Sequence, residues 1–339
     1  MRHSDKGAIL ITTLWILTLL TLLAMGIGIR VGIDVKIMSF FVNSHKAHYI
    51  AEAGIRKTIF LIEKDTTKTV DSLNEIWSSG YDSVKEEFVL KDIKVGEGMF
   101  TVGYEIEEDE TGSPVYLYGA IDEGGKININ EAGGDILANL PGFSIDIAAA
   151  VADWRDEDDL QNPEGAEGDY YEDLDPPYEC KDARFSVPEE LMLVKGITSE
   201  IYDGVKDLVT AYGGDKAVNI NTAPLGVLAV LIGPGFEELP AKIVNYRRGA
   251  DGIIGTQDDN IFTDINAIGA KLMSGLTINQ VEFNRIEELK NAGYFKVMSV
   301  CFRIRSRGEV KNGRIKKTIE VVVKRTDKGS EFLYYYEIQ

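Results

Sequence analysis

The sequence is poor in the residues that build reactive or metal-binding centres. Only three of its 339 residues are histidine and only two are cysteine. The histidines are His3, His45 and His48, so a histidine-based catalytic centre or metal site in the rest of the chain is excluded. Cys180 and Cys301 are too few for a disulfide scaffold, and we expect two separate thiols.

Positive charge is also scarce. Lysine and arginine total 36 against 55 aspartates and glutamates, which gives a formal net charge of −19. Because phosphate binding depends on basic charge, nucleic acid is an unfavourable partner for the chain. With 44% hydrophobic and 27% charged residues, the composition is that of a globular protein with a real core.

Proline is absent from residues 1–113, so nothing interrupts an early helix. Residues 8–29 are 22 uncharged, mostly apolar residues, long enough to cross a membrane of about 30 Å. A cleaved signal peptide is the alternative, but the run is too long and lacks a clear cleavage site. Apolar residues then recur every three to four positions up to Ile62, which predicts one helix of roughly 80 Å over residues 8–63.

Strand patterns lie on both sides of a long middle section. Residues 99–106 and 115–121 read as strands, and residues 297–310 and 314–325 flank Asn312-Gly313, a strong hairpin signal. We therefore predict an α+β fold, in which the N-terminal helix packs on one antiparallel sheet. A large all-α insertion, residues 122–295, would interrupt the sheet.

The middle section contains an internal repeat, near residues 126–155 and 217–248. Asn128-Ile-Asn130 and Asn219-Ile-Asn221 begin the two copies, 91 residues apart, and each leads into an apolar helix, a glycine turn and a second helix. Such units resemble helix-hairpin-helix modules, several of which bind DNA. The first copy has no basic residue from 127 to 153, so a structural role is favoured over DNA binding.

An acidic stretch at residues 153–182 holds 13 carboxylates against two basic residues. Oxygen ligands in a glycine-containing loop suit Ca²⁺, whereas a solvated acidic linker is the usual meaning of such a run. Interleaved aromatic residues favour the ordered loop. A carboxylate pair for glycoside hydrolysis is not excluded by spacing, but no substrate-binding motif supports it.

The order of these features resembles one family. A basic leader ends in Lys6-Gly7, an apolar helix starts at Ala8, and Thr12 stands where most type IV pilins carry glutamate. The acidic stretch follows the family pattern in its segments 153–158, 165–167, 170–171 and 176–178. Together they resemble the K-type minor pseudopilins of the type II secretion system.

The resemblance implies an organisation and a function. It implies a leader (1–7), a transmembrane pilin helix (8–64), a pseudopilin α/β domain (65–121 and 296–339) and an inserted helical domain (122–295). Prepilin peptidase would cut between Gly7 and Ala8 and methylate Ala8. The protein would be a non-enzymatic, single-pass inner-membrane protein with a periplasmic body, which caps and initiates the pseudopilus together with I-type and J-type minor pseudopilins.

The family also binds calcium in its helical insertion. Carried over to this sequence, the role falls on Asp153, Asp156, Asp158, Glu167 and Asp169. A second possible metal loop contains Asp251, Asp258, Asp259 and Asn260, for which a plain Asp/Gly turn is an equal alternative. The alternative function is a membrane-anchored helix-hairpin-helix protein that binds DNA during uptake.

Overall fold

The computed structural model describes residues 5–107, 114–275 and 278–338. The α-helices are α1 (Asp5–Lys64), α2 (Ile76–Ser79), α3 (Gly134–Leu137), α4 (Ile145–Arg155), α5 (Gly168–Glu172), α6 (Ser199–Val205), α7 (Leu225–Ile232), α8 (Leu239–Arg247), α9 (Ile268–Ser274) and α10 (Gln280–Asn291). Short 3₁₀ helices cover Glu123–Gly125, Pro188–Leu193 and Ile265–Ala267.

The strands are β1 (Tyr81–Asp82), β2 (Glu87–Phe88), β3 (Ile93–Val95), β4 (Gly98–Val102), β5 (Tyr104–Glu107), β6 (Pro114–Leu117), β7 (Ile121–Asp122), β8 (Ile127–Asn128), β9 (Val209–Thr210), β10 (Val218–Asn219), β11 (Phe295–Lys296), β12 (Cys301–Val310), β13 (Ile315–Thr326) and β14 (Gly329–Ile338). The main sheet is antiparallel with the order β14-β13-β12-β4-β3, and β7 also pairs with β12. The chain thus leaves this sheet at Asp122 and rejoins it at Cys301.

Helix α1 has two different environments along its length. Between Ile9 and Val42 every large apolar side chain is 48% to 72% exposed. From Ala47 onward one face is buried against the sheet, through residues such as Ile50, Ile55 and Ile62. By length and composition α1 can cross a membrane, so the predicted long helix is confirmed, and its packed part begins later than the apolar periodicity suggests.

Close packing of α1 on the sheet requires glycine on strand β12. A Cβ on Gly308 would lie 2.1 Å from the carbonyl oxygen of Ala47 and 2.5 Å from the main-chain nitrogen of Ala51. Such distances are far inside van der Waals contact, so only glycine lets the helix approach this strand.

The predicted C-terminal hairpin is confirmed, whereas the predicted strand over residues 99–106 is divided. Strands β12 and β13 pair from Cys301–Lys324 to Val310–Ile315, around a turn in which Lys311, Asn312 and Gly313 have positive φ. The chain breaks at Gly103, where a Cβ would lie 2.6 Å from the carbonyl oxygen of Leu117. As a result β4 joins the main sheet and β5 pairs only with β6.

The segment between the two halves of the sheet has its own hydrophobic core, built largely from its helices. It also contains two short parallel pairings, β8 with β9 and β10 with β11, which the sequence did not predict. Both pairings involve the first residues of the two repeats.

Buried polar contacts join this insertion to the sheet. The fully buried Glu123 carboxylate accepts hydrogen bonds from Arg303 Nε of β12 at 2.7 Å and from Lys126 Nζ at 3.0 Å. Thr210 of β9 donates to its other oxygen. Since Arg303 also pairs with Glu320 of β13 at 2.6 Å, one ionic network links the insertion to two strands of the sheet.

Candidate functional site

The two repeats are built on the same hydrogen-bond scheme. Asn130 Nδ2 donates to the carbonyl oxygen of Phe185 at 3.0 Å, and its Oδ1 accepts from the Phe185 amide at 2.7 Å. Asn221 makes the same pair of bonds to Phe262, at 2.9 and 2.8 Å. Each buried asparagine therefore holds a distant loop through its main chain, which explains the Asn-Ile-Asn repeat structurally.

The arginine that ends each repeat is used inside the protein. Arg247 is 3% exposed and its Nη1 donates to the carbonyl oxygen of Ile220 at 2.9 Å. Arg155 donates in the same way to Ile129, and through Nη2 to Ala132 at 2.8 Å. Arg247 was part of the only DNA-like feature in the sequence, and its burial removes that support for the DNA-binding alternative.

The acidic stretch is folded against an aromatic cluster. Trp154 and Tyr171 are buried, with ring centroids 5.0 Å apart, and Tyr178 packs on both. Tyr178 also donates its hydroxyl hydrogen to the Leu193 carbonyl oxygen at 2.7 Å. A solvated linker does not bury its aromatic residues in this way, so the stretch is an ordered loop.

Asp153 closes this loop on helix α4. Its Oδ1 accepts from the Asn162 amide at 3.1 Å and its Oδ2 from the Ala166 amide at 2.7 Å. A Cβ on Gly165 would lie 1.9 Å from Oδ2, so the turn requires glycine. The Asp153 carboxylate is fully buried and its oxygens are occupied, which fits a loop-closing role better than that of an ion ligand.

Other carboxylate oxygens of the loop are buried without any hydrogen-bond partner among the described residues. They are Glu167 Oε1 and Oε2, Asp156 Oδ1 and Asp182 Oδ1. One ligand atom from each of Glu167, Cys180 and Asp182 lies within 4.8 Å of the others. We call Asp156, Glu167, Cys180 and Asp182 the loop cluster.

The electrostatics of the loop cluster are strongly unfavourable for its own charges. Burial, together with the negative charges of Asp153, Asp156 and Asp182, raises the pKa of Glu167 to about 7. Burial and the charge of Asp158 also raise the pKa of Asp156. A bound cation would neutralise these negative charges and would be coordinated by the buried carboxylate oxygens that have no hydrogen-bond donor.

The predicted ligands are thus only partly brought together. Asp156 and Glu167 belong to the loop cluster, whereas Asp158 and Asp169 are exposed, and Asp158 accepts from the Leu160 amide at 2.9 Å. Sequence reasoning missed Asp182, which lies at the end of the acidic stretch with a φ of 47°. The available signal was an aspartate that ends the charged run two residues after Cys180.

In the second acidic loop the carboxylates organise the main chain. Asp258 Oδ2 accepts from the amides of Ala250 and Asp251, at 2.7 and 3.0 Å. The hydrogen bond from the Thr256 hydroxyl, together with these amide bonds, lowers the pKa of Asp258 to about 2. Asp259 accepts from the Gly255 amide at 2.8 Å, and burial raises its pKa to about 6.

Asn260 of the same loop donates to the Tyr246 carbonyl oxygen at 2.8 Å. Within the described ranges, no three acidic, cysteine or histidine ligand atoms gather in this loop. This is the geometry of an Asp/Gly turn, and a metal ion here stays a prediction.

At the other end of the chain, Gly7 and Ala8 lie in the first turns of α1, and residues 1–4 of the predicted leader are outside the described residues. The Thr12 hydroxyl bonds to the carbonyl oxygens of Ala8 and Ile9, at 3.1 and 2.9 Å. Its hydrogen-bonding capacity is therefore met within its own helix. Cleavage between Gly7 and Ala8 stays a prediction.

Comparison with known proteins finds similarity to one family, both over the acidic loop and over most of the chain. A family model described as type II secretion system (T2SS), protein K, matches residues 137–214, which include the acidic loop. Type II secretion system protein K of Pseudomonas aeruginosa is 26% identical over 294 residues, 80% of each chain. The protein of the same name from Pectobacterium carotovorum is 42% identical over 77 residues, 22% of this chain and 24% of that one.

A solved structure has the same fold. It comes from the crystal structure of the GspK-GspI-GspJ complex of the enterotoxigenic Escherichia coli type 2 secretion system. It has a TM-score of 0.60, 16% sequence identity, and coverage of 91% of this chain and 99% of that chain. With the long helix, the interrupted sheet and the helical insertion, these matches support the resemblance of the chain to the type II secretion system protein K family.

Proposed function

We propose that this protein caps the tip of the type II secretion pseudopilus and initiates its assembly, as a structural subunit without catalysis. The observation that carries the proposal is the position of the insertion. Asp71 follows the C-terminal end of α1 by seven residues, and its carbonyl oxygen accepts a hydrogen bond from Asn219 of the insertion at 3.1 Å. The insertion therefore packs at the end of α1 that lies away from the membrane-spanning part.

The position of the insertion affects whether another subunit can stack on this one. In a helical filament of pilin-like helices, a further subunit would have to fit above the C-terminal end of α1. The folded insertion, held there by the hydrogen bonds that Asn219 Nδ2 donates to the Asp71 carbonyl oxygen and to Ser299 Oγ, both at 3.1 Å, would obstruct it. A subunit with such an insertion suits the end of a filament rather than its length.

The apolar half of α1 supports the same role. Residues 8–29 contain no acidic side chain, and the Thr12 hydroxyl bonds to carbonyl oxygens of its own helix. A buried carboxylate at this position would need a cationic partner from a neighbouring subunit, and a tip subunit has no subunit above it. We infer that the partners are I-type and J-type minor pseudopilins, and that the helix anchors the protein in the inner membrane with a periplasmic body.

Localisation on assembled pseudopili would test the tip role. An epitope placed after residue 338 should be labelled at one end of each filament, and the full chain should co-purify with the I-type and J-type proteins of the same organism. Labelling along the whole filament would refute the tip role. Thr12→Glu should reduce assembly, with Thr13→Glu on the adjacent position as the matched control.

We also propose that the loop cluster binds Ca²⁺. The support is the four orphaned oxygens of Asp156, Glu167 and Asp182, because hard oxygen donors in a flexible loop are the ligands that calcium prefers. When bound, the ion would supply positive charge that holds the acidic loop closed over the aromatic cluster. Asp153 would hold the loop through its bonds to the Asn162 and Ala166 amides and would not coordinate the ion.

Thermal unfolding of the full chain in detergent, with calcium or with a chelator, would test this site. Calcium should raise the melting temperature, because a ligand that binds only the folded state stabilises it. Glu167→Gln should abolish the rise, whereas Glu172→Gln, an exposed acid of the same loop, should preserve it. An equal rise in the Glu167→Gln protein would overturn the assignment.

A further inference from the structure

The negative charge of the chain is concentrated at one end of the folded body. Residues 122–295 contain 33 acidic and 13 basic residues, a net charge of −20, whereas the rest of the chain has 22 acidic and 23 basic residues, a net charge of +1. This insertion packs next to Asp71, beyond the C-terminal end of α1. The acidic end of the body therefore lies away from the membrane-spanning part of the helix.

Two contacts show which end of the sheet lies nearest that membrane-spanning part. In the turn before β13, Lys311 Nζ donates a hydrogen bond to Ser39 Oγ of α1 at 3.1 Å. Near the end of β13, Arg325 Nη1 donates to Asp65 Oδ2, just after the helix, also at 3.1 Å. Strand β13 thus runs alongside α1, and the β12–β13 turn lies at the membrane-proximal end of the body.

Four exposed basic residues gather at this membrane-proximal end. Lys311 and Arg314 lie in the β12–β13 turn, and Lys316 is near the start of β13. Lys94 of β3 lies in the same row across the sheet as Lys316, because the two are linked by paired residues of β4 and β12. We call Lys94, Lys311, Arg314 and Lys316 the basic rim.

The basic rim has little counter-charge in the part of the chain that the structure describes. Within that part, only Lys316 of the rim has a carboxylate at ion-pair distance, that of Glu309 at 3.8 Å. The nearby Glu97 is already paired with Lys46, at 2.6 Å. A chain with a net charge of −19 thus presents a positive surface where its body is closest to the membrane-spanning segment.

The rim is within electrostatic reach of a membrane that contains residues 8–29 of α1. Ser39 follows the last of these residues by ten positions, which is about 15 Å along a helix. Lipid headgroups extend roughly 5–8 Å beyond the hydrocarbon core, so about 7–10 Å separates Ser39 from the headgroup layer. That gap is close to the Debye length of about 8 Å at physiological ionic strength, and a helix tilt of about 20° brings one side of the body nearer.

We propose that the basic rim contacts the headgroups of anionic phospholipids and holds the folded body against the membrane surface. The proposal rests on the membrane anchoring by α1 that is proposed above. A lysine or arginine near an anionic surface favours binding roughly fivefold, and less where salt screens it. The same surface repels the acidic insertion, so both ends of the body favour one orientation, with the insertion pointing away from the membrane.

Fluorescence quenching in lipid nanodiscs would test this contact. The full chain carries a fluorescent amino acid either at position 312, in the turn of the rim, or at position 327, in the exposed turn at the far end of β13. The discs contain phosphatidylcholine alone or mixed with phosphatidylglycerol, and a trace lipid bears a quencher on its headgroup. Phosphatidylglycerol should strengthen quenching at position 312 at least about twofold. In 1 M salt, where the Debye length is about 3 Å, this gain should disappear, and position 327 should not respond.

A matched pair of variants separates the rim from charge in general. The rim variant replaces its four basic residues by glutamine, as Lys94→Gln, Lys311→Gln, Arg314→Gln and Lys316→Gln. The control removes the same charge from four exposed lysines at the far end, as Lys64→Gln, Lys68→Gln, Lys324→Gln and Lys328→Gln. The rim variant should lose the response to phosphatidylglycerol, and the control should keep it.

Equal quenching at position 312 in both kinds of disc, or a response that survives in the rim variant, would overturn the proposal. If quenching is independent of phosphatidylglycerol and the rim variant no longer co-purifies with other pseudopilins, the rim is a protein interface instead. Failure of the anchor is distinguishable, because the chain would then separate from the discs during purification. In that case the anchor and the rim proposals fall together, whereas failure of the rim alone leaves the chain in the discs.

Discussion

Glu123→Gln should destabilise the protein by removing the centre of the network between insertion and sheet. The variant keeps the shape of the side chain but leaves Lys126 without its buried counter-charge and Arg303 with Glu320 alone, and both basic residues are less than a tenth exposed. Removing one member of a buried ion pair typically costs about 3–5 kcal/mol. The pKa of Glu123 gives a similar figure, since its fall from 4.5 to about 2 corresponds to roughly 3 kcal/mol of folding free energy.

The same shift fixes the direction of the pH dependence. The charges of Lys126 and Arg303 and the hydrogen bonds from Arg303 and Thr210 outweigh burial and hold the pKa of Glu123 below its ordinary value. A carboxylate with a lowered folded-state pKa stabilises the protein above its unfolded pKa, and this contribution disappears as pH falls towards the folded value. The wild type should therefore lose about 3 kcal/mol between pH 4.5 and pH 2 through this group, and Glu123→Gln should not.

Chemical denaturation of the full chain in detergent would measure both effects. Tryptophan fluorescence suits the assay, because Trp77 lies in the sheet core and Trp154 in the insertion core. Glu97→Gln is the matched control, since Glu97 pairs with Lys46 at a similar distance of 2.6 Å but on the exposed surface. A Glu123→Gln protein as stable as this control at pH 7, or with the wild-type acid transition, would refute the reasoning.

Two further predictions concern packing and the repeats. Gly308→Ala should lower the free energy of unfolding by about 3 kcal/mol, because the new methyl group would lie 2.1 Å from the main chain of α1 and push the helix off the sheet. Chemical denaturation should show no such loss for the control Gly134→Ala, because Gly134 has open space around it. Asn221→Ala should cost about 2 kcal/mol by leaving the buried amide and carbonyl groups of Phe262 unpaired. Asn130→Ala should cost a similar amount, and unequal losses for the two asparagines would contradict the structural equivalence of the repeats.

Much of the architecture was predictable because it depends on local pattern. The uninterrupted apolar run specifies α1, and Asn312-Gly313 between alternating segments specifies the β12–β13 hairpin. The recurrence of Asn-Ile-Asn at an offset of 91 residues revealed the repeat. Each of these signals is a property of neighbouring residues and needs no knowledge of distant contacts.

The strand over residues 99–106 shows where local pattern fails. Its alternation is continuous in sequence, yet β4 ends at Val102 and β5 begins at Tyr104, and Gly103 between them packs closely against the main chain of Leu117. The contact joins residues 14 positions apart, and alternation carries no information about it.

The sequence by itself determined that residues 153–182 form an acidic, aromatic-rich segment, and composition allowed an ion site there. Only the tertiary structure decided which carboxylates are free for an ion. Main-chain amides from the loop occupy Asp153, whereas the fold brings Glu167 and Asp182 together with Cys180 and gives their buried oxygens no donor. Charge is a property of each residue, but hydrogen-bond satisfaction depends on the donors that folding places nearby.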